Sequence, residues 1–307
     1  MMTVMRTLLL LAVIMTAQTP GAVRPVQASE DKTREIAGKL IRETPHFQIY
    51  QEKSSIPVEL DWLQTEMEAI HDYLADRTGV RPSERFAVVF RPPDTAPCPF
   101  RGLARFDMPL AQIIVFADAR TPRAQVSGVL AHEIAHLFQV RGLKIETTDI
   151  NLAEGFATWA AGKYWRAWQG IPADNVRSFR REGRYIPLVK YYETDLTDMS
   201  SPNCLRNRDL RYTSWAVFID FLIADYGIGK FQEKLSQNAA PKPIPDQLRN
   251  FLNGQVSGID PTGANIIWPN QLKNLPIVFE MPPPDYGAVY GLSLGELEKA
   301  WLQRLGN

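Results

Sequence analysis

"VLAHEIAHLFQ", residues 129–139, carries two of the chain's four histidines, four positions apart, with Glu133 directly after the first. A helix turns about 100° per residue, so positions four apart return to nearly the same face. His132 and His136 therefore aim their imidazoles at a common point, and Glu133 is turned from them yet still reaches its edge. Neutral imidazole binds zinc at roughly 2.0–2.1 Å, and a catalytic zinc takes three protein ligands and keeps one place for water. A lone helical histidine is ordinarily a partly buried polar group. A pair at this spacing, with a glutamate between, in a chain with so few histidines, points to a metal.

The flanks support a helix here. Thr121 suits the cap, Pro122 the first helical position and Gly142 the stop. The third ligand is expected from a returning helix, read over roughly 152–168, which carries "LAEGFATWAAGKYWRAW". Glu154 lies 154 − 136 = 18 positions after His136, and a turn through "GLKIETTD" brings it level with the histidines in the first turn. Gly155 is expected to keep backbone bulk low beside the metal. The same stretch also reads as a cap, with Asn151 as N-cap and Glu154 three residues on. Glu146 and Asp149 are the fallback ligands. The metal set is thus His132, His136 and Glu154, and the expected cofactor is zinc (Zn2+).

Two neutral histidines and one carboxylate leave such a zinc with residual positive charge. It can lower the pKa of a water from 15.7 to about 7. Glu133 is then the natural general base, acting on a peptide or protein substrate. A donor for the developing oxyanion is expected from Tyr212, at the start of the helical run "RYTSWAVFIDFLIADYG", with Tyr185, Tyr191 and Tyr192 as alternatives. His46 and His71 are read as structural. Trp159, Tyr164, Trp165 and Trp168 crowd one helix, either as packing or as a platform for peptide or carbohydrate.

Working outward, the 307 residues are 45% hydrophobic and 22% charged, a globular composition. Lys+Arg and Asp+Glu both number 34, so no basic footprint for nucleic acid exists in bulk. The N-terminus, "MMTVMRTLLLLAVIMTAQ", has one early cation and a short apolar run, which suits a signal peptide over residues 1–28 with cleavage after Ala28. The expected location is periplasmic or secreted, with no stable membrane span after cleavage. Cys98 and Cys204 sit in Pro-containing loops and, after export, either form one intrachain disulfide or remain separate thiols.

Strands are predicted at "HFQIY" (46–50), "RFAVVF" (85–90) and "QIIVFA" (112–117). Helices are predicted over 56–79, where Leu60, Leu63, Met67, Ile70 and Leu74 recur at three and four, and at "GKFQEKLSQ" and "LSLGELEKAWLQRL". The segment between the last two strands reads as a loop or poor hairpin, and the chain from about 169 to 210 as loop-rich. Strands first and helices afterwards imply α+β architecture, with a sheet-bearing half at 29–142 and a helical half at 143–307.

"LAHEIAHLFQ", "LAEGFATWAAG", "RYTSWAVFIDFLIADYGIGKFQEKL" and "LSLGELEKAWLQRL" together resemble the peptidase MA-like family, zinc metallopeptidases of the gluzincin type. The resemblance runs from about 110 to 235 with the final helix in addition, and "HFQIY" looks like the family's opening strand. It implies a zincin-like, thermolysin-like domain: a small mixed sheet packed on the HExxH helix, followed by a helical half. It implies His132, His136 and Glu154 as ligands, Glu133 as base, and Tyr212 where the family often has a tyrosine. Three departures stand out: Asn151 where the family usually has Trp, Thr158 where it often has an acid that orients a zinc histidine, and a Pro/Gly-rich insertion over 253–290. In that architecture a sheet edge faces the cleft, a role expected here of "QIIVFA", and a Cys98–Cys204 bridge would tie two cleft walls together. The competing expectation is a noncatalytic exported binding or scaffold protein that keeps the fold.

Overall fold

The computed structural model describes residues 36, 38–52, 59–96, 98–106, 110–145, 149–193, 203–237 and 285–306. The signal-like segment at 1–28, Glu146 and most of the 253–290 insertion lie outside the described residues. The architecture is α+β. A five-stranded mixed sheet is built from β1 (Lys39–Glu43), β2 (Phe47–Gln51), β3 (Phe86–Arg91), β4 (Gly102–Arg105) and β5 (Gln112–Phe116), in the order β1-β2-β3-β5-β4. β2, β3 and β5 are parallel neighbours, while β1 and β4 run antiparallel at the two edges.

The parallel pair β2–β3 needs a crossover, and α1 (Leu60–Thr78) supplies it. Its apolar stripe of Leu63, Met67, Ile70 and Leu74 is buried, and it ends where Gly79 takes the left-handed conformation, φ 73°. Phe47, Ile49, Phe86, Val88, Phe90, Ile113 and Val115 alternate onto the face of the sheet that joins the main core, while Tyr50, Ala87, Val89 and Ile114 form a smaller cluster opposite.

α2 (Arg123–Leu137) follows β5 and passes into a π-helical turn, Phe138–Gly142. It is buried on almost every side from Val126 onward, between α1, α3, β4 and β5. The expected Thr121 cap does not form: its hydroxyl binds Asp118 within the preceding turn, and Pro122 occupies the cap position. α3 (Ile150–Gln169) returns alongside α2, capped by Asp149, which accepts from the backbone N–H groups of Asn151 (3.0 Å) and Leu152 (3.2 Å). Asn151 is therefore not the N-cap, and Asp149, spent on the cap, is not a metal ligand.

The stretch expected as loop contains α4 (Pro172–Arg181) and α5 (Lys190–Glu193). α4 buries little besides Val176, so its apolar signal is thin. α6 (Cys204–Tyr226) begins eight residues before Tyr212 rather than at it. α7 (Ile228–Gln237) follows, then α8 (Gly287–Tyr290) and α9 (Leu294–Leu305), the last opened by a Ser293/Glu296 capping box. Tyr286 and Tyr290, at the end of the expected insertion, pack into the core beside Phe218 and Tyr226.

Two further corrections concern the sheet. β1 was not expected, because "KLIRE" lacks an apolar alternation and sits largely exposed at an edge. The strand "QIIVFA" is interior, between β3 and β4. The edge that approaches α2 is β4, from the segment read as loop or hairpin.

Candidate metal centre

α2 and α3 lie side by side, and their contact places the three expected ligands together. His132 Nε2 is 3.2 Å from His136 Nε2 and 3.0 Å from Glu154 Oε2, and His136 Nε2 is 3.5 Å from the same oxygen. The two imidazoles stand at 85° to one another. A tetrahedral ion with arms of roughly 2.0–2.1 Å has edges of roughly 3.3–3.4 Å. The three donor–donor separations match that figure, so the residues fit one small divalent cation. This trio is the one group of three potential metal donors that converges among the described residues.

The surroundings orient the donors. Thr158 Oγ1 lies 3.2 Å from His132 Nδ1, one helical turn beyond Glu154. When Nδ1 carries the proton and donates to this hydroxyl, Nε2 presents its lone pair to the metal position. Threonine thus reaches the place where an acid was the expected partner. Gly155 has a different role from the one anticipated. A Cβ there would meet Trp215 Cβ at 2.7 Å and Ile219 Cδ1 at 2.8 Å, so its bareness lets α3 close on α6 rather than clearing space at the metal.

Burial and charge pairing oppose one another in the site's electrostatics. Desolvation lowers the His132 pKa against the opposing pull of Glu154. Burial alone would raise Glu154, yet the charge of His136 and the hydrogen bond from His132 hold its carboxyl well below the usual carboxylate range. Glu133 shows the reverse. Burial pushes it up to about 8, the charges of His136 and Arg208 oppose the shift, and a backbone N–H from Ala104 of β4 supports the anion. A carboxyl balanced near neutrality suits a group that both takes up and releases a proton.

β4 presses closely on Glu133. A Cβ at Gly102 would fall 2.4 Å from Glu133 Oε1 and 2.7 Å from Val129 Cγ1. Gly102 is therefore part of the site's construction, although nothing in "CPFRGLARF" singled it out beforehand. The cleft over the centre is lined by Phe100, Arg101, Gly102, Trp165, Trp168, Arg208, Asp209 and Tyr212, with His132 and Glu133 at its base.

Tyr212 stacks on His132, ring centroids 5.3 Å apart at 11°. Burial raises its phenol well above the ordinary value, with Glu154 adding to the shift, so it stays protonated as a donor. The alternative tyrosines are engaged elsewhere: Tyr185 with Glu298, Tyr192 with Asp149 at 2.8 Å, and Tyr191 under the Arg211 guanidinium. The aromatic residues of α3 divide by position. Trp159 and Tyr164 pack in the core away from the cleft, whereas Trp165 and Trp168 form part of its wall. His46 and His71 stack on each other and take no part in the centre.

Cys98 and Cys204 are joined, Cα atoms 6.1 Å apart, linking the loop before β4 to the first residue of α6. Nearby, Arg208 donates to Pro99 O at 2.9 Å, and Arg101 pairs with Asp209 at 3.4 Å. The bridge thus joins two sides of the cleft. No helix among the described residues is long and apolar enough to cross a membrane. No protein-family model matches the chain, and no curated protein matches it.

Proposed function

We propose that the protein is an exported zinc metallopeptidase with a zincin-like fold of the gluzincin kind. The observation that carries this reading is the convergence of two imidazole nitrogens and one carboxylate oxygen at 3.0–3.5 Å, beside a second buried carboxyl, Glu133, that is left out of the donor set. Two imidazoles and one carboxylate suit zinc by ligand type and number. When bound, zinc supplies Lewis acidity, polarising a carbonyl and acidifying a water. Glu133 accepts the proton of the attacking water and returns it to the leaving amine. Tyr212 offers its hydroxyl hydrogen to the carbonyl oxygen as charge builds there. Thr158 keeps His132 in the tautomer that binds metal, and edge strand β4 lies beside the cleft, where an extended substrate can run along it.

The signal-like run at 1–28 and the Cys98–Cys204 bridge support export, since disulfides persist in oxidising compartments. The deciding experiment compares wild type with Glu133→Gln for zinc content and for cleavage of a general peptide pool. Both proteins should hold one zinc per chain, and the variant should be slower by about 10²–10⁴-fold. Equal cleavage by the two removes Glu133 as the base. A zinc-loaded wild type that cleaves nothing leaves a binding protein in place of a peptidase.

A further inference from the structure

The two arginines that line the cleft are not equivalent. Arg101 lies 3.4 Å from the Asp209 carboxylate and 4.9 Å over the Trp168 ring, so its charge is matched. Arg208 donates to the neutral carbonyl of Pro99 at 2.9 Å and has no carboxylate at ion-pair distance among the described residues. It lines the same cleft as His132, Glu133 and Tyr212, so it faces the reacting groups. A guanidinium has five N–H donors, and the bond to Pro99 leaves the others for a ligand.

Arg208 is also held in place. Cys204 lies one helical turn before it on α6, and its disulfide partner Cys98 is the neighbour of Pro99. The covalent bridge and the Pro99 hydrogen bond therefore close a short ring between loop and helix, with the guanidinium fixed at the cleft. Phe100, Trp165 and Trp168 supply apolar walls around it, which strengthen a charged contact by excluding water.

We propose that Arg208 is a specificity-determining residue that binds a carboxylate of the substrate close to the scissile bond, so that the substrates are peptides presenting an acidic group there. Planar guanidinium and carboxylate match in a two-point contact, and Arg208 is the cleft arginine with no carboxylate at ion-pair distance among the described residues, although Asp209 and Glu133 feel its charge. The carboxylate comes from an Asp or Glu side chain or from a peptide C-terminus; the chemistry recognised is the same. The inference rests on the peptidase reading, and its test reads binding without turnover, so the two can fail separately.

The test uses the full-length Glu133→Gln protein loaded with zinc. Quenching of its tryptophan fluorescence follows the titration, since Trp165 and Trp168 line the cleft. Three peptides of one alanine-rich sequence serve as probes: blocked at both ends, blocked with one Glu, and with a free C-terminal carboxylate. At least one acidic peptide should bind roughly 10–100-fold more tightly than the neutral one, and which one identifies the source of the carboxylate. Arg208→Gln should abolish the preference, Arg208→Lys should keep part of it, and Arg101→Gln should preserve most of it. Zinc content and the melting profile check that each variant is folded. Equal affinity for all three peptides, binding of none, or a preference that survives Arg208→Gln overturns the proposal. Failure of hydrolysis in the wild type, by contrast, bears only on the peptidase reading.

Discussion

The four histidines fall into two pairs, each beside a glutamate, and the two clusters differ in the direction of their lone pairs rather than in composition. At the candidate metal centre, His132 and His136 stand at 85° with their Nε2 atoms 3.2 Å apart, and Glu154 faces both. In the other cluster, His46 and His71 lie stacked, centroids 3.7 Å apart at 14°. Glu68 is already occupied there: one oxygen binds His46 Nδ1 at 2.6 Å, and the other takes the His46 backbone N–H and the Thr44 hydroxyl. The same two residue types make a structural clasp when the rings are parallel and the acid is spent. They make a set of donors fit for a metal ion when a single helix aims two rings at a point and a second helix brings a carboxylate to it.

Removing a histidine from each cluster gives the largest contrast. His136→Ala should lose bound zinc and hydrolysis together, by more than the roughly 10–100-fold that a supporting residue costs. His46→Ala should keep one zinc per chain, measured by elemental analysis on purified protein. Zinc lost equally from both would erase the distinction between the clusters.

The clasp should reveal itself by pH instead. Burial pushes the His71 imidazole down to about 4 from an ordinary 6.5, so the folded chain resists a proton that the unfolded chain accepts. That contribution to stability is full above pH 6.5 and is lost as pH falls from 6.5 towards 4, by up to about 3 kcal/mol. Denaturant titrations across this window should show the slope, and His71→Leu should flatten it.

Gly102→Ala probes the contact between β4 and α2. The added methyl overlaps Glu133 and Val129, so stability should fall by about 1–3 kcal/mol, and turnover should drop at unchanged zinc content. Full activity in this variant would mean that β4 does not set the position of the base. Thr158→Val is the mildest change. It keeps the volume and removes the hydroxyl beside His132 Nδ1, and zinc should bind about tenfold more weakly in a chelator competition. An unchanged zinc affinity would show that Thr158 only fills space.

Much of the centre was legible in the chain itself, because it rests on local geometry. His132, Glu133 and His136 lie within one helical turn and a half, where the period of the helix fixes their relation. Strands β2, β3 and β5 were legible because they are short runs dominated by β-branched and aromatic residues. β1 and α4 were not, since each buries too few side chains to leave a pattern. The start of α6 was hidden by its polar opening, "CLRNRDLR", whose place in a helix depends on packing at the cleft and on the bridge from Cys204. Gly102 and Arg208 gave no local signal at all, as each matters only through a partner distant in sequence.

By itself, then, the sequence determined that two imidazoles share a helix face with a glutamate between them, because the spacing of a helix is a property of the backbone. The sequence also offered Glu154, ahead of Glu146 and Asp149, as the third donor; the tertiary structure brought that carboxylate to the imidazoles, set the strand edge that supports the base and left Arg208 at the cleft with no acid at ion-pair distance among the described residues. Those relations span 22 residues from His132 to Glu154 and 109 from Pro99 to Arg208. They arise when buried surfaces pack, and no local period encodes them.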